Sequence, residues 1–137
     1  MNYLLDTNAC IALINGRPDS VRERFRKVTR SDAEVYVSAV VVFELWYGVA
    51  KSLRRELNAA RLEAFLAGPV VLLGFDDEDA RAAGAIRAEL EGTGKPIGAY
   101  DLLIVGQAVA RGLTLVTANV SEFARVKELS WQDWAKG

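Results

Sequence analysis

The segment Leu4-Leu5-Asp6-Thr7-Asn8 places an acidic residue directly after an apolar run that predicts a first strand over residues 3–5. In open α/β sheets, ligands bind beyond the carboxyl ends of the strands. Asp6 therefore stands where a functional side chain is expected. The alternative is that Asp6 or Asn8 only caps the helix that begins at this point, since both residue types are favoured there.

The rest of the chain alternates short apolar runs with helical patterns, which is typical of an α/β fold with a largely parallel sheet. We predict further strands over residues 34–37, 70–73 and 114–116, the second of them buried, and helices over residues 9–15, 20–30, 40–53, 56–66, 76–90 and 100–110. Trp131 and Trp134 are expected to pack an edge strand or tail onto the body. We predict one domain over residues 1–137, because this length suits a single core and no linker interrupts it.

The composition excludes several kinds of chemistry. The formal net charge is −1, so any contact with nucleic acid must come from local clusters of basic residues. The absence of histidine removes the usual general base, the triads that depend on it and most zinc sites. The single cysteine, Cys10, cannot form an internal disulfide, and no apolar stretch reaches the roughly 20 residues that cross a bilayer. We therefore expect a cytoplasmic protein that does not contact membranes.

Glu44 interrupts the apolar run Val40-Val41-Val42-Phe43 and the following Leu45-Trp46-Tyr47. The predicted helix is apolar nearly all round, so we expect it to be buried. A buried carboxylate is costly unless it is paired or binds a metal. A buried salt bridge or a water-filled pocket is the alternative explanation.

Two further positions carry polar groups at the start of helices. Asp101 precedes Leu102-Leu103-Ile104-Val105, where an acid is also favoured by the helix dipole. Asn119 and Glu122 follow the predicted strand 114–116, and Ser121 could cap the helix there, with Asn119 as a turn residue. Each position has a structural explanation when it is considered alone.

Together, these acids indicate a metal site more strongly than any one of them does. Oxygen ligands suit hard cations such as Mg²⁺, which use few protein carboxylates and keep several waters. Carboxylates that lie close together without a cation raise one another's pKa. Such a site can activate water and stabilise charge on phosphate oxygens without histidine.

Four stretches resemble, in order and spacing, those of PIN-domain proteins, specifically the VapC-type toxins of toxin–antitoxin pairs. They are Leu4-Leu5-Asp6-Thr7-Asn8; Ser38 through Leu45; Ile97-Gly98-Ala99-Tyr100-Asp101-Leu102-Leu103-Ile104; and Leu115-Val116-Thr117-Ala118-Asn119-Val120-Ser121-Glu122-Phe123. The resemblance covers essentially the whole chain.

This resemblance implies a three-layer α/β/α fold with a central, largely parallel sheet. It also implies a Mg²⁺-dependent endoribonuclease, with Mn²⁺ as a substitute, that cleaves RNA phosphodiester bonds as the toxin of its pair. The implied partners are the RNA substrate, a cognate antitoxin whose C-terminal segment wraps the toxin, and a second copy in a homodimer or a larger toxin–antitoxin assembly.

The resemblance also assigns roles to individual residues. Asp6, Glu44 and Asp101 fall on the family's acidic metal positions, and Asn119 falls where many relatives carry a fourth acid. Thr117, like Thr7, falls on a hydroxyl position that lines such sites. The predicted catalytic set is Asp6, Glu44, Asp101, Thr117 and Asn119, all of them metal ligands except Thr117.

Two further motif positions have supporting roles in this comparison. Asn8 is expected to brace the turn after Asp6. Tyr100 stands where relatives often have a smaller polar residue, so it is expected to alter the wall of the pocket.

Two other classes of function compete with the nuclease. One is a non-catalytic binding module with the same fold that acts through its partner, although three intact acids argue against it. The other is a phosphorylated receiver domain, suggested by Asp76-Asp77 and Lys95-Pro96. A receiver needs paired acids near the N-terminus, whereas Asp6 is followed by Thr7.

Basic and aromatic clusters predict the surfaces that meet RNA and protein. Two groups of basic residues form either a phosphate-binding rim or solvated helix faces. The first group comprises Arg17, Arg22, Arg24, Arg26, Lys27 and Arg30, and the second comprises Lys51, Arg54, Arg55 and Arg61. Trp46 and Tyr47 belong either to the core or to an interface, where aromatic side chains are enriched.

Overall fold

The computed structural model describes residues 1–136, so that Gly137 of the predicted domain lies outside the described part. Its centre is one sheet of five parallel strands in the order β3-β2-β1-β4-β5. The strands are β1 Tyr3–Leu5, β2 Val35–Ser38, β3 Val71–Leu73, β4 Thr114–Val116 and β5 Trp131–Gln132. The central strands are almost entirely buried, as parallel strands covered on both faces must be.

Seven α-helices flank the sheet within residues 1–136, which confirms the predicted α/β architecture. They are α1 Thr7–Asn15, α2 Asp19–Thr29, α3 Ala39–Ala50, α4 Arg55–Leu66, α5 Asp77–Gly92, α6 Ala99–Arg111 and α7 Val120–Phe123, followed by a 3-10 turn at Trp134–Lys136. The predicted helices lie within three residues of these bounds. In the described part of the chain, no helix is long and apolar enough to cross a membrane.

Local sequence signals explain where several helices begin and end. Gly16 ends α1 in the left-handed conformation, with φ of 72°, which a side chain at this position would disfavour. Asp76 begins α5 by accepting from the N–H of Asp79, whose own side chain accepts from the N–H of Asp76. α5 packs against α6 so closely that a Cβ on Gly106 would lie 2.5 Å from the Cβ of Ala83.

A buried polar cluster joins the start of α5 to the end of α6. Asp79 is fully buried, and Arg111 donates to it at 3.1 Å while Gln107 donates at 3.2 Å. Arg111 also pairs with Asp76 at 3.0 Å. Of the acid pair that suggested a receiver domain, Asp76 contacts Arg111 and Asp77 forms an exposed ion pair with Arg81. The observed fold makes the receiver interpretation wrong.

The strand predicted over residues 70–73 is present as β3, but the prediction that it is buried is wrong. β3 is an edge strand with only β2 as a neighbour, and Val71 and Leu72 are 41% and 56% exposed. An apolar run indicates a strand, but its burial depends on what covers the sheet at that position.

The prediction that the Glu44 helix is buried is also wrong. Within α3 only Val41 and Leu45 are buried, whereas Phe43 and Tyr47 are 53% and 59% exposed. α3 lies outside the sheet and turns one side toward it. Val40, Val42 and Val49 pack partly against the core, and the large aromatic side chains face outward. Trp46 and Tyr47 are therefore surface residues.

The prediction for the C-terminal tryptophans is confirmed. Trp131 begins the edge strand β5, which pairs with β4. Trp134 is 2% exposed and packs edge-on against Tyr3, with ring centroids 5.4 Å apart.

Candidate active site

The carboxyl ends of three neighbouring strands bring polar residues to one edge of the sheet. Leu5 of β1 pairs with Val116 of β4, and Val116 pairs with Gln132 of β5. Because these strands are parallel and in register, the residues that follow them lie side by side: Asp6, Thr117 and Asp133. α3 begins at the end of the fourth neighbour, β2, and carries Glu44 to the same edge.

Asp6 both caps α1 and faces the other acids. It is 5% exposed, its Oδ1 accepts from the N–H of Ala9 at 2.7 Å, and it also accepts from the Thr117 hydroxyl. Burial raises the pKa of Asp6 above its usual value, and the negative charges of Glu44 and Asp133 raise it further. The capping interpretation and the functional one are therefore compatible.

Glu44 is half-buried and accepts a hydrogen bond from the Thr7 hydroxyl at 2.8 Å. The alternative of a buried salt bridge is wrong, because none of the four ion pairs within residues 1–136 includes Glu44. The second alternative, a pocket, is present: Glu44 lies at the wall of an open cavity of about 260 Å³ between α1, α3 and α4.

Asp101 forms a carboxyl pair with Glu122. Burial, followed by the charge of Glu122 and their shared hydrogen bond, raises the pKa of Asp101 to about 6. The negative charges of Glu44 and Asp6 contribute in the same direction. The pKa of Glu122 is lowered chiefly by the N–H of Gly98, which donates to its Oε1 at 2.9 Å.

Asn119 and Thr117 connect these acids. The side-chain amide of Asn119 donates to Oε2 of Glu122 at 2.9 Å, and its backbone N–H donates to the Thr117 hydroxyl at 3.0 Å. Asn119 begins α7 without a capping hydrogen bond from its side chain, and Ser121 lies inside that helix. The proposed cap at Ser121 is therefore wrong.

Tyr100 and Asn8 both lie at the surface. Tyr100 is exposed and packs against Phe43, with ring centroids 5.6 Å apart, which joins the neighbours of Asp101 and Glu44 in the sequence. Its effect on the pocket wall stays a prediction. Asn8 is exposed and forms no side-chain hydrogen bond within residues 1–136. The bracing role predicted for Asn8 is instead performed by Asp6 itself.

Sequence reasoning left two acids out of the site. Glu122 lies in a quoted motif, but its contact with Asp101 depends on how α6 and α7 meet. Asp133 follows a strand of only two residues, which is too short to show a pattern. Its position directly after a strand is the same signal that identified Asp6.

The acidic side chains influence one another electrostatically without forming a compact cage. No three acidic or cysteine side chains within residues 1–136 are grouped closely enough to hold a metal ion as they stand. Their carboxylates have other partners: Thr7 for Glu44, and Glu122 for Asp101. The convergence of Asp6, Glu44 and Asp101 on one cation stays a prediction.

Comparisons with known proteins identify the family to which this chain belongs. The PIN domain family model matches residues 3–129. The tRNA(fMet)-specific endonuclease VapC of Salmonella typhimurium is 40% identical over 134 residues, which cover 98% of this chain and 98% of that protein. The chain belongs to the VapC family of PIN-domain ribonucleases. Ribonuclease VapC2 of Rickettsia felis, another VapC protein, is 38% identical over 99% of this chain and 100% of its own length.

The VapC assignment extends to the structure. The crystal structure of VapBC2 from Rickettsia felis, bound to a DNA fragment from their promoter, contains a chain that superposes with a TM-score of 0.92. That chain is 37% identical, and the match covers 98% of this chain and 99% of that one. RNA-cleaving hydrolase activity and metal dependence are general properties of VapC proteins.

Proposed function

We propose that this chain cleaves RNA as the toxin of a toxin–antitoxin pair, using Asp6, Glu44 and Asp101 as the ligands of a Mg²⁺ ion. The observation that carries this proposal is the placement of the three acids at one edge of the sheet. They lie close enough that the charges of Glu44 and Asp6 add to burial and to Glu122 in raising the pKa of Asp101. No basic side chain pairs with any of the three within residues 1–136. A divalent cation would compensate this concentration of negative charge.

The donor atoms fit a hard cation. All are oxygens: the carboxylates of the three acids and the amide oxygen of Asn119, whose amide nitrogen already donates to Glu122. Mg²⁺ and Mn²⁺ prefer such ligands, and neither thiolate nor imidazole is available, because Cys10 is buried in the core and there is no histidine. We propose Mg²⁺ as the resident ion and Mn²⁺ as its substitute.

The chain's own residues prepare the site in three ways. Ala9 and Thr117 fix the Asp6 carboxylate, while Thr7 orients Glu44 across 37 positions of sequence. Burial, together with Glu122, raises the pKa of Asp101 to about 6, and Asp101 must release its proton before it can act as a ligand. When bound, the cation supplies positive charge for the developing charge on phosphate oxygens and activates water.

Basic residues of α2 offer a path for the RNA backbone. Lys27 and Arg26 are exposed, and Arg24 donates to Oε1 of Gln132 at 3.3 Å, next to Asp133. This contact places part of the basic cluster beside the acidic edge, where it can bind flanking phosphates. A transfer RNA is a natural probe because two VapC relatives are named for tRNA(fMet).

We also propose that a cognate antitoxin silences this site. The VapBC2 structure from Rickettsia felis and that of DNA-bound VapBC from Salmonella typhimurium contain relatives of this chain in such pairs. A basic side chain of the antitoxin would pair with the uncompensated carboxylates of Glu44 and Asp101 and so compete with the cation. We expect the complex to be inactive, and we expect removal of the antitoxin's C-terminal segment to restore cleavage. We also propose that this activity is cytoplasmic and that residues 1–137 form a single domain.

The experiment that tests the proposal uses the purified full chain with total cellular RNA and with tRNA(fMet). New RNA ends are mapped after incubation with Mg²⁺, with Mn²⁺ and with a chelator, and an Asp6→Ala variant is the control. We expect defined ends that require the cation and are absent with Asp6→Ala. Identical ends from both proteins would contradict the proposal.

A further inference from the structure

A small pocket opens beside the acidic edge, between α1, the start of α2 and the last strands of the sheet. Its volume is about 100 Å³. The walls are mainly apolar and are formed by residues that include Ala12, Pro18, Val21, Val116 and Trp134. An apolar cavity of about 150 Å³ takes up benzene. A pocket of this size that is open on one side therefore suits a single planar ring whose polar edge stays at the mouth.

The pocket is continuous with the active site. Thr117 lines it, and the hydroxyl of the same residue bonds the Asp6 carboxylate. Asp133 also lines it and lies near enough to Asp6 for its negative charge to act on that carboxyl. A group held in the pocket would therefore be adjacent to the reacting phosphate of an RNA bound at Asp6.

Two polar side chains at the pocket have unused hydrogen-bonding capacity. Asp133 uses Oδ1 to accept from the N–H of Ala135 at 2.9 Å, which leaves Oδ2 available. Asp133 forms no ion pair within residues 1–136. Asn8 is exposed at the pocket and forms no side-chain hydrogen bond in the same part of the chain.

We propose that this pocket receives one pyrimidine base of the RNA substrate and selects cytosine over uracil. This proposal rests on the proposed ribonuclease function. Single-stranded RNA is read through unstacked bases that are held on apolar or aromatic surfaces and hydrogen-bonded at their edges. The Asp133 carboxylate accepts from the N4 amino group of cytosine, whereas it repels the O4 carbonyl of uracil. The Asn8 amide donates to O2 or N3 of the same base.

The direct test exchanges the acceptor for a donor at Asp133. In Asp133→Asn, Oδ1 can keep the bond from Ala135, so that the amide nitrogen faces the base and donates to O4 of uracil. The probe is a pool of 12-nucleotide single-stranded RNAs, randomised over the six central positions and sequenced after cleavage with Mg²⁺. The matched control is Asp32→Asn, which alters an exposed acid outside the pocket.

We expect the wild-type chain and Asp32→Asn to favour cytosine over uracil about tenfold at one position relative to the cut, the size of discrimination that one well-placed pair of base contacts gives. Asp133→Asn should reverse this preference at the same position. An equal loss of cleavage for all sequences would instead make Asp133 part of the metal site and would overturn the pocket proposal.

A second variant tests the pocket independently of charge. Ala135 is exposed and lines the pocket, so Ala135→Leu should narrow it without removing a core contact. We expect the cytosine preference to fall at least severalfold while the thermal midpoint stays within a few degrees. Cleavage by the wild-type chain with no cytosine preference at any position would overturn this proposal alone. A wild-type chain that cuts nothing in the pool or in cellular RNA would overturn the proposed function as well.

Discussion

The Thr7 hydroxyl donates a 2.8 Å hydrogen bond to Oε1 of Glu44, joining the first turn of α1 to the middle of α3. Since Glu44 lies on a helix with much exposed surface, this bond restricts a side chain that would otherwise be free to turn into solvent. Thr7 is therefore a positioning residue for the candidate metal site.

We expect Thr7→Val to weaken Mg²⁺ binding about tenfold, because losing one hydrogen bond to a charged group costs about 1.5 kcal/mol. Thr7→Ser, which keeps the hydroxyl, should bind the ion nearly as the wild-type chain does. Calorimetric titration with Mg²⁺ gives both affinities. Equal affinities for Thr7→Val and the wild-type chain would show that the bond has no role in metal binding.

Asp101 makes the stability of the chain depend on pH in a definite direction. Its pKa is raised to about 6 in the folded chain from an ordinary value of 3.8, so the folded state favours the protonated form. The stabilisation of the folded state by the proton on Asp101 is therefore fully present below about pH 4, and it is lost as the pH rises through about 6. Above that pH the ionised Asp101 destabilises the metal-free fold.

Asp101→Asn should therefore raise the thermal midpoint of the metal-free chain at pH 7.5 and abolish cleavage. The expected increase in the free energy of unfolding is on the order of 1 kcal/mol, after allowance for the exposed part of the carboxyl. This corresponds to an increase of about 4 °C in the thermal midpoint. The difference should disappear near pH 4, where the wild-type carboxyl is protonated. A midpoint that falls at pH 7.5, or wild-type cleavage by the variant, would contradict the site assignment.

The basic cluster of α2 should appear in the salt dependence of RNA binding. Neutralising Arg24, Arg26 and Lys27 together should reduce the slope of log affinity against log salt by about 2, at about 0.7 per phosphate contact on a single strand. The matched control is the double neutralisation of Arg81 and Arg87, whose ion pairs with Asp77 and Glu91 lie on the exposed side of α5. The measurement is fluorescence anisotropy of a labelled RNA between low and physiological salt, with an inactive Asp101→Asn background. An unchanged slope would mean that α2 is only a solvated face.

The exposed aromatics of α3 predict a homodimer. Tyr47 and Phe43 would leave a large apolar area in water if the chain were a monomer, and contiguous exposed apolar patches usually mark interaction sites. Tyr47→Arg should shift the chain to a monomer in sedimentation velocity, while Leu72→Arg, at an equally exposed site on β3, should leave the dimer intact. A wild-type chain that sediments as a monomer at every concentration would rule out this interface.

The sequence predicted the elements whose signal is local, and it was less successful where the signal depends on neighbours. Apolar runs and helix starts are short-range patterns. They were therefore enough to locate β1, β4 and the acids at the ends of strands and the starts of helices. The burial of α3 and β3 could not be predicted, because it depends on which faces the rest of the chain covers. Asp133 was missed because the two-residue strand before it exists only through its pairing with β4.

The pairing of Asp101 with Glu122 shows the same limit within the site. Both residues lie in motifs that the sequence displays, and each has a local explanation at a helix start. Their interaction depends on α6 and α7 meeting at the carboxyl edge, with Gly98 donating to Glu122 across 24 positions. The types of residue in the site were therefore predictable, but their hydrogen-bonding partners were not.

We propose that Asp6, Glu44 and Asp101 hold one divalent cation together. Calorimetric titration of Mn²⁺ into the wild-type chain and into Asp6→Asn, Glu44→Gln and Asp101→Asn tests it most directly, with circular dichroism to establish that each variant is folded. We expect one ion per wild-type chain and a loss of affinity of at least about tenfold in each variant, since each loses a charged ligand. A folded variant of any of the three that binds Mn²⁺ with wild-type affinity would contradict it.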